Sequence, residues 1–178
     1  MNKGMDIASG KFIVYLNSGD KFTKNALKFI YKKYTEDPNI DFIFGTVKRN
    51  YTKKAILKYG FNSKRLFYNF DFATTHSSGF FLKKNSFKKV GKFNLKYKCS
   101  ADYDLYYKII FKHKMRGTST NKSCLVGIVK SGGFSSKYSF MQHLFEESRI
   151  RLNNKQNLIF VILIFFNEVL KNFFKKLF

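Results

Sequence analysis

The chain has 178 residues, 44% of them hydrophobic and 19% aromatic, with one Pro, eleven Gly and a formal net charge of +23. That is enough apolar chain for one ordinary domain with a sizeable core, and the composition excludes a disordered low-complexity tract. A charge of this size suggests an anionic partner: nucleic acid, anionic lipid or a phosphorylated small molecule.

A plainer source of the basicity competes with that one. The positive charge is almost all lysine (29 Lys, 5 Arg), and Asn, Phe, Ile and Tyr are abundant too. Those residue types share A/T-rich codons, so genome composition accounts for the charge about equally well. The two cysteines, Cys99 and Cys124, lack CxxC spacing and imply neither a disulfide framework nor a zinc site. A reducing, cytoplasmic setting is expected. The opening MNKGMDIASGK contains no apolar signal-peptide core.

Residues 2–8 read as the last turns of a helix, stopped by Ser9-Gly10. The run Phe12-Ile13-Val14-Tyr15-Leu16 has no polar alternation, which predicts a strand buried on both faces in the middle of a parallel sheet. Asn17-Ser18-Gly19-Asp20 supplies the turn that ends it, and places a carboxylate, Asp20, at the carboxyl end of that strand. Open α/β sheets bind ligands there. Thr23 is a candidate cap for a helix over 23–34, with Ala26, Leu27, Ile30, Tyr31 and Tyr34 on one face and Asp37-Pro38-Asn39 ending it.

DFIFGTVKR (41–49) reads as one strand, and 50–74 as a long loop holding one short helix. HSSGFFL (76–82) leads into a strand, followed by a short helix over 86–90 and a stop at Gly91. ADYDLYYKIIFKH (101–113) is a helix with Leu105, Ile109 and Ile110 inward and Asp102 and Asp104 in its first turn, where carboxylates suit the helix dipole. A short strand over 125–129, a flexible loop over 131–136 and an amphipathic helix over 140–152 follow. The predicted class is α/β, a mixed sheet flanked by helices, with 1–153 as the domain and 154–178 as a C-terminal amphipathic helix.

In that tail, nine consecutive apolar residues (158–166) are too few to span a bilayer, which takes about 20. Beyond them Glu168, Lys171, Asn172, Lys175 and Lys176 recur at helical spacing opposite Val169, Leu170, Phe173, Phe174 and Leu177. An interfacial helix on an anionic membrane surface has this pattern. A helix packed on the domain or on a partner subunit has it as well.

Four pieces line up in one order: MNKGMDIASGKFIVYLNSGD, HSSGFF, KYKCSADYDLYYKI, and SGGFSS with Phe145-Glu146-Glu147 to Ile150. Together they resemble the family 2 glycosyltransferases of the GT-A fold, of the kind that build bacterial surface polysaccharides. The resemblance covers about residues 1–153. It implies an inverting transferase that moves a sugar from a nucleotide-diphosphate donor to a saccharide or lipid-linked acceptor, peripheral on the inner face of the plasma membrane. It also implies strand–helix–strand units ahead of the MNKG helix that contact the donor's base and ribose. This chain opens past them and looks like the C-terminal part of such an enzyme.

Residue by residue, the resemblance implies Asp20 as the ligand of Mg²⁺ or Mn²⁺, one carboxylate shared with substrate phosphates. Asp102, in the family's acidic element, is the candidate base that takes the acceptor hydroxyl's proton. Asp104 is a candidate substrate contact, or else supports the helix N-terminus or holds a neighbouring side chain. His76 is placed to contact acceptor or diphosphate, and Gly132, Gly133 and Ser135 form a loop whose N–H groups face phosphates. Each has a plainer role open to it: Asp20 as a helix cap, Asp102 and Asp104 as dipole partners, His76 as a structural histidine, the glycines as a surface turn. Two other functions stand beside catalysis, a non-catalytic fragment acting with another polypeptide, and a basic nucleic-acid-binding protein. The dispersed lysines and the lack of any recognition motif make nucleic acid an unexpected partner.

Overall fold

In the computed structural model, which describes residues 1–51, 54–70, 73–74 and 76–177 (the Lys176 side chain excepted), the chain folds as a mixed α/β protein. In chain order its strands are β1 (Phe12–Ile13), β2 (Lys21–Phe22), β3 (Phe42–Phe44), β4 (Thr46–Asn50), β5 (Ala55–Lys58), β6 (Phe80–Lys83), β7 (Gly117–Ser119) and β8 (Leu125–Lys130). Its helices are α1 (Asn2–Ile7), α2 (Ala26–Glu36), α3 (Ser63–Tyr68), α4 (Lys84–Val90), α5 (Ala101–Tyr107), α6 (Phe140–Asn153) and α7 (Leu158–Leu177). The strands form two mixed sheets, ordered β1-β6-β3-β7 and β2-β8-β4-β5. Only β3–β7 and β4–β8 run parallel.

Alternation along β3 explains the layering. Phe42 and Phe44 point to one face, where they meet Phe80, Tyr106 and the rest of α5; Ile43 points to the other, against Ala26 and Ile30 of α2 and Val126. All three are fully buried. β6 repeats the division, with Phe80 and Leu82 on one side and Phe81 on the other. Aromatic rings hold the first cluster: Phe44 to Phe80 at 4.9 Å and Phe80 to Tyr106 at 4.6 Å between centroids.

Several expectations change. An unalternating apolar run does mark a strand covered on both faces, but the strands that meet the rule are β3 and β6. The 12–16 run yields only a two-residue strand at the sheet edge, antiparallel to β6; Ile13 is buried while Leu16 is half exposed. Tyr15 leaves the strand to stack on Phe93 and to donate to the Met1 carbonyl at 2.9 Å. Helix α2 starts at Ala26 after Asn25, and Thr23 caps nothing, donating instead to the Leu125 carbonyl at 2.6 Å. Leu27 and Tyr31 lie outside its buried face. The single strand expected over 41–49 is split at Gly45, which hands the chain from the first sheet to the second. Within 50–74 a strand, β5, accompanies the short helix α3; Thr52, Lys53, Asp71 and Phe72 of that stretch lie outside the described residues. Helix α5 continues as a π-helical turn over Lys108–Lys112 that keeps Ile109 and Ile110 buried.

The tail is one helix, α7, packed on the domain through Val161 and Ile164, with Phe160 against Phe67 and Phe165 against Phe145. Among the described residues no helix is long and apolar enough to cross a membrane. The Lys176 side chain and Phe178, both part of the expected tail pattern, lie outside the described residues.

Gly117 opens β7 directly against the Phe42 ring, where a Cβ would collide with ring carbons of a residue that has no free volume to move into. Gly117→Ala is therefore expected to cost about 1–3 kcal/mol by overpacking. In thermal unfolding followed by circular dichroism this lowers the melting temperature by about 2–4 °C per kcal/mol. An unchanged transition would show that the β3–β7 contact is looser than described.

Candidate functional site

An open cleft of about 1100 Å³ lies where the two sheets and α6 meet, and the turn after β1 forms its floor. Asn17-Ser18-Gly19-Asp20 closes with the Asp20 amide donating to the Asn17 carbonyl at 3.0 Å, and Gly19 takes φ +88°, a conformation open to glycine at little cost. The turn aims the Asp20 side chain inward, leaving it 4% exposed. Oδ2 accepts from the Ser78 hydroxyl at 2.5 Å and Oδ1 from the Lys130 amide at 3.1 Å. Asp20 thus ties the β1–β2 turn to the segment before β6 and to the end of β8, and it does not cap a helix.

His76 sits above it, Nδ1 3.9 Å from Asp20 Oδ2 and accepting from the Ser78 amide at 3.3 Å. Burial lowers its pKa, and the Arg49 charge works in the same direction against the pull of Asp20, so the ring is neutral near pH 7. Asn17 Nδ2 donates to Ser77 Oγ at 2.8 Å, closing the two segments over the floor. Arg49, stacked on Tyr51 at 5.6 Å, and Lys130 put cations on the same wall. Gly132, Gly133 and Ser135 form the lip opposite.

The far wall is built on the start of α5. Backbone N–H groups at a helix N-terminus have no partner within the helix. One carboxylate takes the N-cap amide, Ser100, and the two amides before it. Glu146 of α6 accepts from the amides of Lys98, Cys99 and Ser100, each at 2.7 Å, and from the Cys99 thiol at 3.0 Å. Burial would raise Glu146, but these donors hold its pKa below the ordinary value. The same contact, with burial acting first, pushes the Cys99 thiol up to about 12. Ser100 Oγ then lies 3.3 Å from His143 Nδ1 and 3.4 Å from Glu147 Oε1, while His143 Nε2 reaches the Ser135 carbonyl at 3.0 Å. The glycine lip and the α5 N-terminus are therefore joined through His143.

Two carboxyls here are displaced upward. Burial raises Glu147 to about 8, and the Asp102 charge adds to it while Arg151 opposes. Burial raises Asp102 to about 6, opposed by backbone N–H groups of Tyr103 and of Asp102 itself and by His143. The Arg151 guanidinium is fully buried, donates to the carbonyls of Phe67 and Asn69 at 3.2 and 2.6 Å, and lies 4.4 Å from the Phe70 ring.

Of the residues expected to form a site, Asp20, His76, Gly132, Gly133 and Ser135 line this one cleft. Asp102 does not. It lines a small cavity of about 10 Å³ beside the cleft, with Ser77, Tyr15 and Phe93, and acts on the cleft through its charge on Glu147. Asp104 does not line the cleft either; it is 1% exposed and holds neighbours, Lys108 at 2.6 Å and Asn154 Nδ2 at 3.3 Å. Five residues were missed: Arg49, Lys130, His143, Glu147 and Glu168, the last supplied by α7. For Glu147 a signal existed, since paired acids at 146–147 are conspicuous in a chain with eleven acidic residues.

The donor set decides what cation fits. Among the described residues no three His, Cys, Asp or Glu side chains are placed to hold one metal ion. Asp20 offers one carboxylate whose oxygens each carry one protein hydrogen bond and keep further lone pairs. That fits Mg²⁺ or Mn²⁺ held mainly by a diphosphate with a single protein carboxylate, and does not fit a resident, protein-caged ion.

The Glu146 clamp makes a chemical prediction. A thiol with a pKa near 12 holds almost no thiolate at pH 8, so Cys99 is expected to resist iodoacetamide, and Glu146→Gln to speed its alkylation by about tenfold or more. Equal rates in the two proteins, by mass mapping of the Cys99 peptide, would show that the carboxylate does not hold the thiol. No family model matches the chain, and no curated protein is similar to it at a significant level.

Proposed function

We propose that this chain carries the catalytic half of an inverting glycosyltransferase of the GT-A, family 2 kind, which transfers a sugar from a nucleotide-diphosphate donor to a saccharide or lipid-linked acceptor in surface-polysaccharide synthesis. One observation supports the reading most. Segments far apart in sequence, 17–20, 76, 130–135 and 143–147, meet in a single cleft with an acid and two cations at one end and the raised Glu147 carboxyl at the other. They belong to three of the four motifs that resemble the family, and the fourth, with Asp102, lies directly behind the Glu147 wall. Peripheral placement on the cytoplasmic face of the plasma membrane belongs to the same reading.

On this reading the diphosphate lies over Asp20, Arg49 and Lys130, with the Gly132–Gly133 backbone closing on it. A Mg²⁺ or Mn²⁺ bound with it would supply Lewis-acid neutralisation of the charge developing on the leaving phosphate. The acceptor approaches from the Glu147 wall, so its hydroxyl attacks the anomeric carbon on the face opposite the diphosphate. Asp102 and Glu147 are pushed apart in proton affinity, and such a pair divides the acid and base roles. Near pH 7 Asp102 is the ionised member and Glu147 stays protonated; the resemblance gives Asp102 the base's role, which requires the acceptor hydroxyl to reach it from behind the Glu147 wall.

A second reading has its own support. The outer edge of β1 pairs with nothing among the described residues, as expected of a non-catalytic piece that completes its sheet with another polypeptide. Donor binding without turnover would favour it.

The first test is manganese-dependent hydrolysis of UDP-sugars. Loss of about 10²–10⁴-fold is expected in Asp102→Asn, and comparable loss in Asp20→Ala. Activity untouched by both changes would overturn the assignment. The second test is the pH profile, in which rate should rise through about pH 6 as Asp102 ionises and fall through about pH 8 as Glu147 loses its proton. Stability follows Glu147 too. Because the folded pKa is raised, the protein binds this proton more tightly when folded, and stability falls as pH climbs from the unfolded value towards 8, by at most about 1.4 kcal/mol per pH unit. Glu147→Gln should flatten both the alkaline limb of the rate and the loss of stability between about pH 6 and 8; a variant that keeps both slopes removes Glu147 from the scheme.

A further inference from the structure

Helix α7 is apolar on its outer face as well as on the side, Val161 and Ile164, that packs on the domain. An ordinary surface helix hides its apolar stripe and shows its charges. Here Glu168 points into the cleft and Lys171 reaches back to Glu168 at 2.7 Å and to Asn69 at 3.5 Å, so these charged groups lie on the domain side. Ile159, Leu163, Phe166, Leu170, Phe173 and Phe174 face away from the domain and are each 54–67% exposed. At about 100° per residue these six fall within one arc, and 20 residues make a face about 30 Å long. Phe145 of α6, 60% exposed and with its ring 5.2 Å from that of Phe165, widens it. An exposed apolar surface of this extent marks an interaction site.

Charge selects the occupant. A second copy would bring another +23 against the first, so self-association over this face works against like charge. An anionic bilayer works with it. Arg149, one helical turn beyond Phe145, Lys155 ahead of α7 and Lys64 on the same face of α3 as Tyr68 are exposed around the apolar surface. Tyr68 in turn meets Phe160 of α7, which ties that cation to the patch. Basic groups bordering an apolar face match headgroups around acyl chains.

We propose that the outer face of α7, extended by Phe145, seats the protein in the interface of an anionic lipid monolayer, lying in its plane with the cleft on the helix's opposite side. The apolar side chains enter the headgroup–acyl boundary to a depth of about 5–10 Å. The domain-packed side of α7, which carries Val161, Ile164 and Glu168, keeps the helix from turning to span. The binding face goes beyond the transferase reading; only the choice of the cytoplasmic leaflet rests on it.

The chain has no tryptophan, so Phe166→Trp introduces a sole reporter at an exposed position. With phosphatidylcholine vesicles containing phosphatidylglycerol its emission should shift to the blue and be quenched by brominated acyl chains, more weakly on phosphatidylcholine alone. Leu170→Asp combined with Phe173→Asp should leave the melting transition in place and weaken co-sedimentation with the same vesicles by about tenfold or more. Three results would overturn the proposal: a reporter that stays in water, vesicle binding indifferent to the double change, or emission already blue without lipid in a protein of dimeric mass. The last would assign the face to a second copy. No donor or acceptor is present in the measurement, so its failure leaves the transferase reading standing, and absence of sugar transfer leaves the binding face standing.

Discussion

One carboxylate organises the far half of this molecule. Glu146 takes the amides of Lys98, Cys99 and Ser100 and so docks the start of α5 on α6. Hydrogen bonds to an ionised acceptor are stronger than neutral ones, and three on one group leave it little freedom. Everything on that wall inherits its position: Ser100 between His143 and Glu147, Asp102 one turn into the helix, and the aromatic face of α5 that closes over Phe44 and Phe80. Removing the carboxylate frees three partly covered donors at once, so it costs more than the loss of one average hydrogen bond.

The two ends of the cleft differ in how they handle charge. At the Asp20 end an acid is surrounded by donors and cations, Arg49 and Lys130, an arrangement that suits an anionic ligand arriving with its own cation. At the other end Asp102, Glu147 and Glu168 share a poorly solvated region whose compensating charge, Arg151, is itself buried against aromatic rings. The Asp102 charge raises Glu147, so the protons of those two carboxyls are interdependent.

How much of this was legible depended on the kind of signal. The helices before Asp37-Pro38-Asn39 and Gly91 and around 101–112 followed from period and stop residues, and Asp20 from its place at the end of an apolar run, while His76 and the Gly132–Gly133 loop came from the resemblance alone. The edge position of β1 was not legible, because Phe12 to Leu16 carries the apolar run of a central strand while its neighbours are decided by pairings 70 residues away, Ile13 with Leu82. Gly45 was equally silent, since a strand that changes sheets reads like one strand. Glu147 was hidden for a different reason: in sequence it belongs to an ordinary amphipathic helix, and only the docking of α6 on α5 brings it to Ser100. The tail's charges were legible as a stripe, but the side they turn to depends on what the domain offers, and Asn69 and the cleft drew them inward.

The handover at Gly45 also bears on how the protein is made. β3 lies between β6 and β7, and β4 between β5 and β8, so the two halves of one short segment wait for partners on both sides. Ile43 needs Thr118 and Arg49 needs Val129 before either sheet is closed. At ribosomal rates of about 5–20 residues per second, the fully buried stretch Phe42-Ile43-Phe44 is made several seconds before its partners in β6 and β7. Folding of this domain is consequently late and concerted, with one brief interval in which a bare hydrophobic strand is offered to whatever chaperone stands nearest.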